Sequence, residues 1–339
     1  MTKSQNIQKL RLLQKELPPF LTGFFNGTAD YTAASTRMGY AYDLKLFFTY
    51  ISEEICHKKI QNFTLEDLSQ ITADDISGFL EYLSYYLKEE TAVQNEALGK
   101  SRKLAAVRTM FKYFYGKGKI AANPAELVAF PKLNQKAITT LEPNEVAKLL
   151  DMAESGEKLT EKQKQYHERT KIRDVAILTL LLGTGMRVSE CVGLNLQDID
   201  FETGGAKVTR KGGDEMVLYF GDEVAEALSD YLDKREEVQA KEGHEEALFL
   251  SLQNRRITDR AVQNLVKKYA SLITTLKNIS PHKLRSTFGT QLYKETGDIY
   301  LVANVLGHAD VNTTRKHYAK MDDERRRKAA NIVRLRDDK

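Results

Sequence analysis

Between Pro131 and Thr139 the chain reads PKLNQKAIT, and this run divides it more firmly than any other stretch. It follows Asn123-Pro124, where the residue ahead of proline is pushed out of the helical region and the proline has no amide to donate. A chain of 339 residues is also too long for one ordinary core. The division predicts a helical domain over 1–130, a linker over 131–139 and a second domain over 140–321, with a terminal helix over 322–339.

Apolar periodicity fills in both parts. Tyr40, Leu44, Phe47, Ile51 and Ile55 recur at helical spacing, as do Leu104, Val107, Phe111 and Phe114. Ser35-Thr36 is placed to cap the first of these helices and Ser101 the second. Beyond the linker, helices are predicted over Leu141–Met152, Lys171–Thr184, Asp222–Gln239, Thr258–Leu272 and His282–Thr296. One stretch departs from the pattern. In VTRKGGDEMVLYF, residues 208–220, two β-type runs flank Lys211-Gly212-Gly213-Asp214, as in a hairpin. The predicted fold class is mainly α with a small antiparallel β-sheet.

Composition excludes more than it selects. Hydrophobic residues are 42% and charged residues 29%, ordinary for a globular chain, and the net charge of +4 permits nucleic acid without demanding it. Cys56 and Cys191 form no CxxC, so neither a zinc site nor a disulfide framework is suggested. MTKSQNIQKL lacks the apolar core of a signal peptide, and the longest apolar run, near Ala176–Leu182, falls far short of a membrane span. A cytoplasmic protein without a membrane partner is expected. Charge is unevenly spread: seven Lys or Arg and no Asp or Glu occur between Lys100 and Lys119. Lys100, Arg102, Lys103, Arg108 and Lys112 are therefore candidate DNA-binding residues on a one-sided basic stripe, since phosphate contacts supply most of the affinity for nucleic acid.

Four short pieces carry chemistry: LLGTGMRVSE with Arg187, VTRKGGDE with Lys211, SPHKLRSTFGTQLY with His282 and Arg285, and LGHADVNTTRKHY with His308 and Tyr318. Singly each has a plain explanation; Arg187 with Glu190 is by default an ion pair three residues apart on a helix. Together they suit a phosphodiester. Two guanidinium forks match the non-bridging oxygens. A histidine moves a proton near neutral pH. A lysine can protonate a departing oxygen, and a tyrosine hydroxyl can attack phosphorus if a cationic pocket lowers its pKa of about 10. No metal-ligand spacing and no GxxxxGK[ST] loop accompanies them, so no metal and no cofactor is expected.

Arg, Lys, HxxR, His and Tyr in that order, within GTGMR, RKGG, HKLR, LGHAD and HY, resemble the tyrosine recombinases over nearly the whole chain. The resemblance implies a helical core-binding domain followed by an α+β catalytic domain. It implies Tyr318 as nucleophile, Arg187 and Arg285 as clamp of the scissile phosphate, His282 as general acid/base, Lys211 as acid to the 5′ oxygen and His308 as phosphate support. Ser286 stands where many relatives carry a second histidine, and no extra arm-binding domain is expected ahead of the core-binding one. The compact length, TRKGG and PHKLR look more like the Xer recombinases that resolve chromosome dimers, in particular those that work alone. The implied partner is double-stranded DNA with inverted-repeat half-sites, bound by a homotetramer on two duplexes that is monomeric off DNA. The segment 322–339 is expected to contact a neighbouring protomer. A mobile-element integrase, a type IB-like topoisomerase and a regulator that has lost catalysis are the alternatives.

Overall fold

The computed structural model describes residues 3–88, 90–133, 139–210, 213–307 and 311, and the chain folds as two units, Met1–Lys136 and Ala137–Lys339. The expected fold class holds: helices dominate and the sheets are small and antiparallel.

The first unit contains α1 (Lys3–Gln14), α2 (Leu21–Gly27), α3 (Ala34–Tyr50), α4 (Leu65–Gln70), α5 (Ala73–Tyr82) and α6 (Ala97–Gly116). Its core is aromatic. Phe24, Phe25, Phe47, Phe48, Phe79 and Phe111 are fully buried, and Phe47 meets Phe79 edge-on at 5.2 Å. Such pairs add about 0.5–1.5 kcal/mol beyond their buried area. Thr64 and Thr72 start α4 and α5 with reciprocal capping boxes to Asp67 and Asp75.

Several local expectations are corrected here. Ser35 and Thr36 lie inside the first turn of α3, whose cap position is Ala33. Ser101 lies inside α6, which begins after Glu96; a bond from Lys103 to Asn95 at 2.6 Å ties this earlier start to the unit. The helical stripe ends before Ile55. After Tyr50 the backbone widens into a π-helical turn, Ile51–Cys56, so Ile51 is buried while Ile55 points outward. The segment after α5 is not helical: β1 (Tyr86–Lys88) pairs antiparallel with β2 (Thr91–Val93). Tyr, Thr and Val at these positions favour the pleated backbone.

The second unit contains α7 (Pro143–Ser155), α8 (Glu161–Thr184), α9 (Val188–Gly193), β3 (Ile199–Asp200), β4 (Gly205–Thr209), β5 (Glu215–Tyr219), α10 (Asp222–Glu236), α11 (Asp259–Ile273), α12 (Pro281–Thr296) and α13 (Ile299–Leu306). The strands form one antiparallel sheet in the order β3-β4-β5. Ala206 faces Leu218 and Val208 faces Met216 across the hairpin. Ala206, Val208 and Leu218 belong to the core with Leu178, Leu181, Leu228, Val262 and Leu284. α8 starts ten residues before the predicted Lys171, because Thr160 and Gln163 close a capping box on the polar stretch EKQKQYHERT. Among the described residues no helix is long and apolar enough to cross a membrane.

Candidate active site

The site is assembled around the C-terminal end of α13. The last carbonyls of any helix lack intrahelical partners and carry the negative end of its dipole, so they attract cations. Here they attract guanidinium groups. Arg187 Nη2 donates to the Gly307 carbonyl at 3.0 Å, Arg285 Nη2 to the Leu306 carbonyl, and Arg210 Nη2 to the Val305 carbonyl at 3.0 Å. Three consecutive carbonyls thus take three arginines from three different elements.

Each arginine is placed by local structure. α8 ends at Gly185, whose φ of +63° is the left-handed turn that glycine adopts without strain. A Cβ there would also strike the Phe288 ring. The chain then turns through buried Met186 to Arg187, which caps α9: its amide donates to Glu190 Oε2 at 2.7 Å and its Nη1 to Glu190 Oε1 at 2.7 Å. The ion pair expected by default is therefore present, with Glu190 buried. Arg285 lies on the inner side of α12 at 4% exposure, and its Nη1 also donates to the Gly185 carbonyl at 2.6 Å. One turn earlier, His282 stands in the first turn of α12 on the exposed side, after Pro281; its carbonyl accepts from Ser286 Oγ at 3.0 Å.

Arg210 is the residue that reading the sequence missed. It lies just past β4 and packs so closely on Gly307, whose φ is +60°, that a Cβ there would collide with its guanidinium. Burial pushes Arg210 below its usual range, Glu190 opposes this and Arg187 adds to it. The signal was parity. Ala206 and Val208 point inward, so 210 falls on the same face of the strand, and a charge at an inward position must find buried partners. Three guanidinium groups against one buried carboxylate leave the site cationic, the state that an anionic phosphate would neutralise.

Lys211, His308 and Tyr318, and the helix expected over 322–339, lie outside the described residues. In the first unit the basic stripe is not one-sided. Lys103 is buried, and burial lowers its pKa while Asp43 beside it acts the other way. Arg102 pairs with Asp43, and Lys100 reaches Ser84 Oγ at 2.6 Å. Arg108 donates to the Ala125 and Glu126 carbonyls and stacks 4.7 Å over Phe130. Lys112 is exposed. A run of like charges around a helix reaches every face of it, and one of those faces here is core.

The phage integrase family pattern matches residues 139–325. The tyrosine recombinase XerC of Thermodesulfovibrio yellowstonii is 33% identical over 301 residues, which span 87% of this chain and 90% of that one. The XerH site-specific recombinase, in a post-cleavage complex with palindromic difH substrate, has the same fold at a TM-score of 0.64 and 20% identity, covering 97% of this chain and 96% of that one. A lambda integrase tetramer bound to a Holliday junction aligns at a TM-score of 0.61 and 16% identity, over 88% of this chain and 77% of that one. The chain belongs to the phage integrase family, the tyrosine recombinases, enzymes that cleave and rejoin DNA.

Proposed function

We propose that this Xer-type site-specific recombinase resolves chromosome dimers in the cytoplasm, acting as four protomers on two DNA duplexes with inverted-repeat half-sites. Tyr318 Oη attacks the scissile phosphorus and gives its proton to His282. The bond from phosphorus to the 5′ oxygen breaks, its electron pair stays on that oxygen, and Lys211 supplies the proton. The product is a 3′-phosphotyrosyl link. A 5′ hydroxyl of the other duplex then attacks it in reverse, building a Holliday junction. Arg187 and Arg285 hold the non-bridging oxygens and His308 supports them. The segment 322–339 docks on the neighbouring protomer, which couples that neighbour's presence to the position of Tyr318.

One observation carries the reading: Arg187 and Arg285, from separate elements, meet on adjacent carbonyls, one residue before His308 in the chain. Donors held in place before charge develops are what stabilises a phosphoryl transition state.

The test is covalent capture in cells. Wild-type chain is denatured rapidly, and the DNA still attached is sequenced. Adducts should map to one inverted-repeat locus of the chromosome, and Tyr318→Phe should bind there without any adduct. Adducts at the ends of a mobile element would replace dimer resolution with integration, and adducts formed by the Phe variant would remove Tyr318 as nucleophile.

A further inference from the structure

The residue before Lys211 is fixed at both ends. In the turn between β4 and β5, the Arg210 amide donates to the Asp214 carbonyl at 2.7 Å, and its own carbonyl accepts from Gly213 at 3.0 Å. Its side chain leaves the hairpin and ends on α13, with Nη2 on the Val305 carbonyl at 3.0 Å and the guanidinium lying against Gly307. The chain runs on from Arg210 directly into Lys211, and from Gly307 directly into His308.

A hairpin tip is a poor place for a proton donor. Near the tip β4 pairs with β5, while β3 pairs with Gly205 and Ala206 at the far end of β4, and the general acid must come within hydrogen-bond reach of the departing oxygen. A tether close to the donor corrects this, and the side chain of Arg210 is such a tether. It anchors the turn on the same helix end that receives Arg187 and Arg285, so turn and phosphate clamp share one reference point.

We propose that Arg210 is a positioning residue of the recombination reaction, a guanidinium strap that holds the root of the Lys211 turn against the last turn of α13. The inference rests on the assignment of Lys211 as the acid to the 5′ oxygen. Arg210 itself neither donates the proton nor holds the phosphate; its loss displaces the donor.

Sulfur at the bridging 5′ position separates these roles, because a thiolate leaves without needing the proton. The full chain is tested on nicked duplexes of the mapped recombination site, made with oxygen or with sulfur at that position, and covalent adduct formation is timed. Arg210→Met keeps the length of the side chain and removes its donors. It should slow cleavage of the oxygen duplex by about 10²-fold, the scale of a small misplacement of a catalytic group. The deficit should all but vanish on the sulfur duplex, with a far smaller change in DNA affinity. Lys211→Ala, run alongside, should show the same rescue. Arg210→Lys should recover part of the rate on oxygen; if the Met variant does not fold, the Lys variant is judged by the same sulfur criterion. Wild-type rates for the Arg210 variants would overturn the proposal. So would an equal loss on both duplexes, which would make Arg210 a phosphate ligand or a plain structural element. If Lys211→Ala is not rescued by sulfur, the Lys211 assignment fails and takes the strap with it. If only Arg210 goes unrescued, the strap alone is wrong.

Discussion

Arg187 at the start of α9 and Arg285 inside α12 donate to neighbouring carbonyls of one helix end, those of Gly307 and Leu306. Glu190 orients the first fork and the Gly185 carbonyl the second. A planar group with two fixed bonds has a fixed plane, and that is the property a phosphate clamp needs.

Arg187→Ala and Arg285→Ala should each lose roughly 10²–10³ in the rate of adduct formation, the usual cost of one preorganised donor, with far smaller losses of DNA affinity. Arg285→Lys should stay impaired, since one ammonium cannot reach the Gly185 and Leu306 carbonyls as a fork does. Single-turnover cleavage and filter binding on one DNA measure the split. Equal losses in both would make the arginines binding residues only.

The basic residues of α6 should fall into two groups. Lys112→Ala should weaken DNA binding and reduce its salt dependence by about one unit of slope for a lost phosphate contact. Lys103→Met should leave the slope alone and cost about 1–3 kcal/mol of stability, because Asn95 Oδ1 loses its buried donor. Affinity titrations at several salt concentrations, with urea melts of the same variants, give both readouts. A flattened slope for Lys103→Met would put it back on the DNA face.

His167 makes the second unit sensitive to mild acid. Its ring is buried against Tyr269, whose hydroxyl lies 3.4 Å from Nδ1. Burial lowers its pKa, Lys268 adds to this and Asp174 opposes it. With the folded value depressed, the unfolded chain takes up the proton first. Stability is therefore whole above the ordinary imidazole value of 6.5 and is lost as the pH falls from there toward the folded value. Urea midpoints measured between pH 7.5 and 5.5 should decline, and His167→Gln should flatten that decline. An unchanged slope in the variant would assign it to other groups.

The two cysteines should react in separate steps. Cys56 is exposed, whereas burial pushes the Cys191 thiol up to about 12. A thiol-specific chromophore should label one site in the native protein and the second only after unfolding. Fast labelling of both would mean that the core around Cys191 opens readily.

Much of this was legible in the sequence, for reasons specific to each element. The β4–β5 hairpin announces itself because Ala206, Val208 and Leu218 keep a strand's parity in a helical chain. Asn123-Pro124 does not end the first unit, since Ala125 and Val128 just beyond it belong to its core, and the two units meet between Lys136 and Ala137 in the chain. Arg187, His282 and Arg285 could be picked out from short motifs, yet nothing local says that two of them end on α13, since that depends on contacts between elements far apart in sequence. Lys103 could not be placed by counting charges, because its burial depends on Asp43 and Asn95. Ile55 could not be placed by counting in steps of 3.6, because one π-helical turn shifts the phase. Arg210 lies within VTRKGGDE beside Lys211, and the inward parity of Ala206 and Val208 is the local sign that it needs buried partners.

The close packing of Arg210 on Gly307 also restricts how this site can drift over generations. The two positions are not independent letters. At a φ of +60° asparagine or aspartate could replace the glycine at moderate strain, but either would displace the guanidinium that occupies the space. A side chain at position 307 would push the guanidinium, the far end of a flexible arginine, off the Val305 carbonyl. A descendant with a side chain at 307 must therefore hold the turn in a different way, whether or not it keeps the arginine.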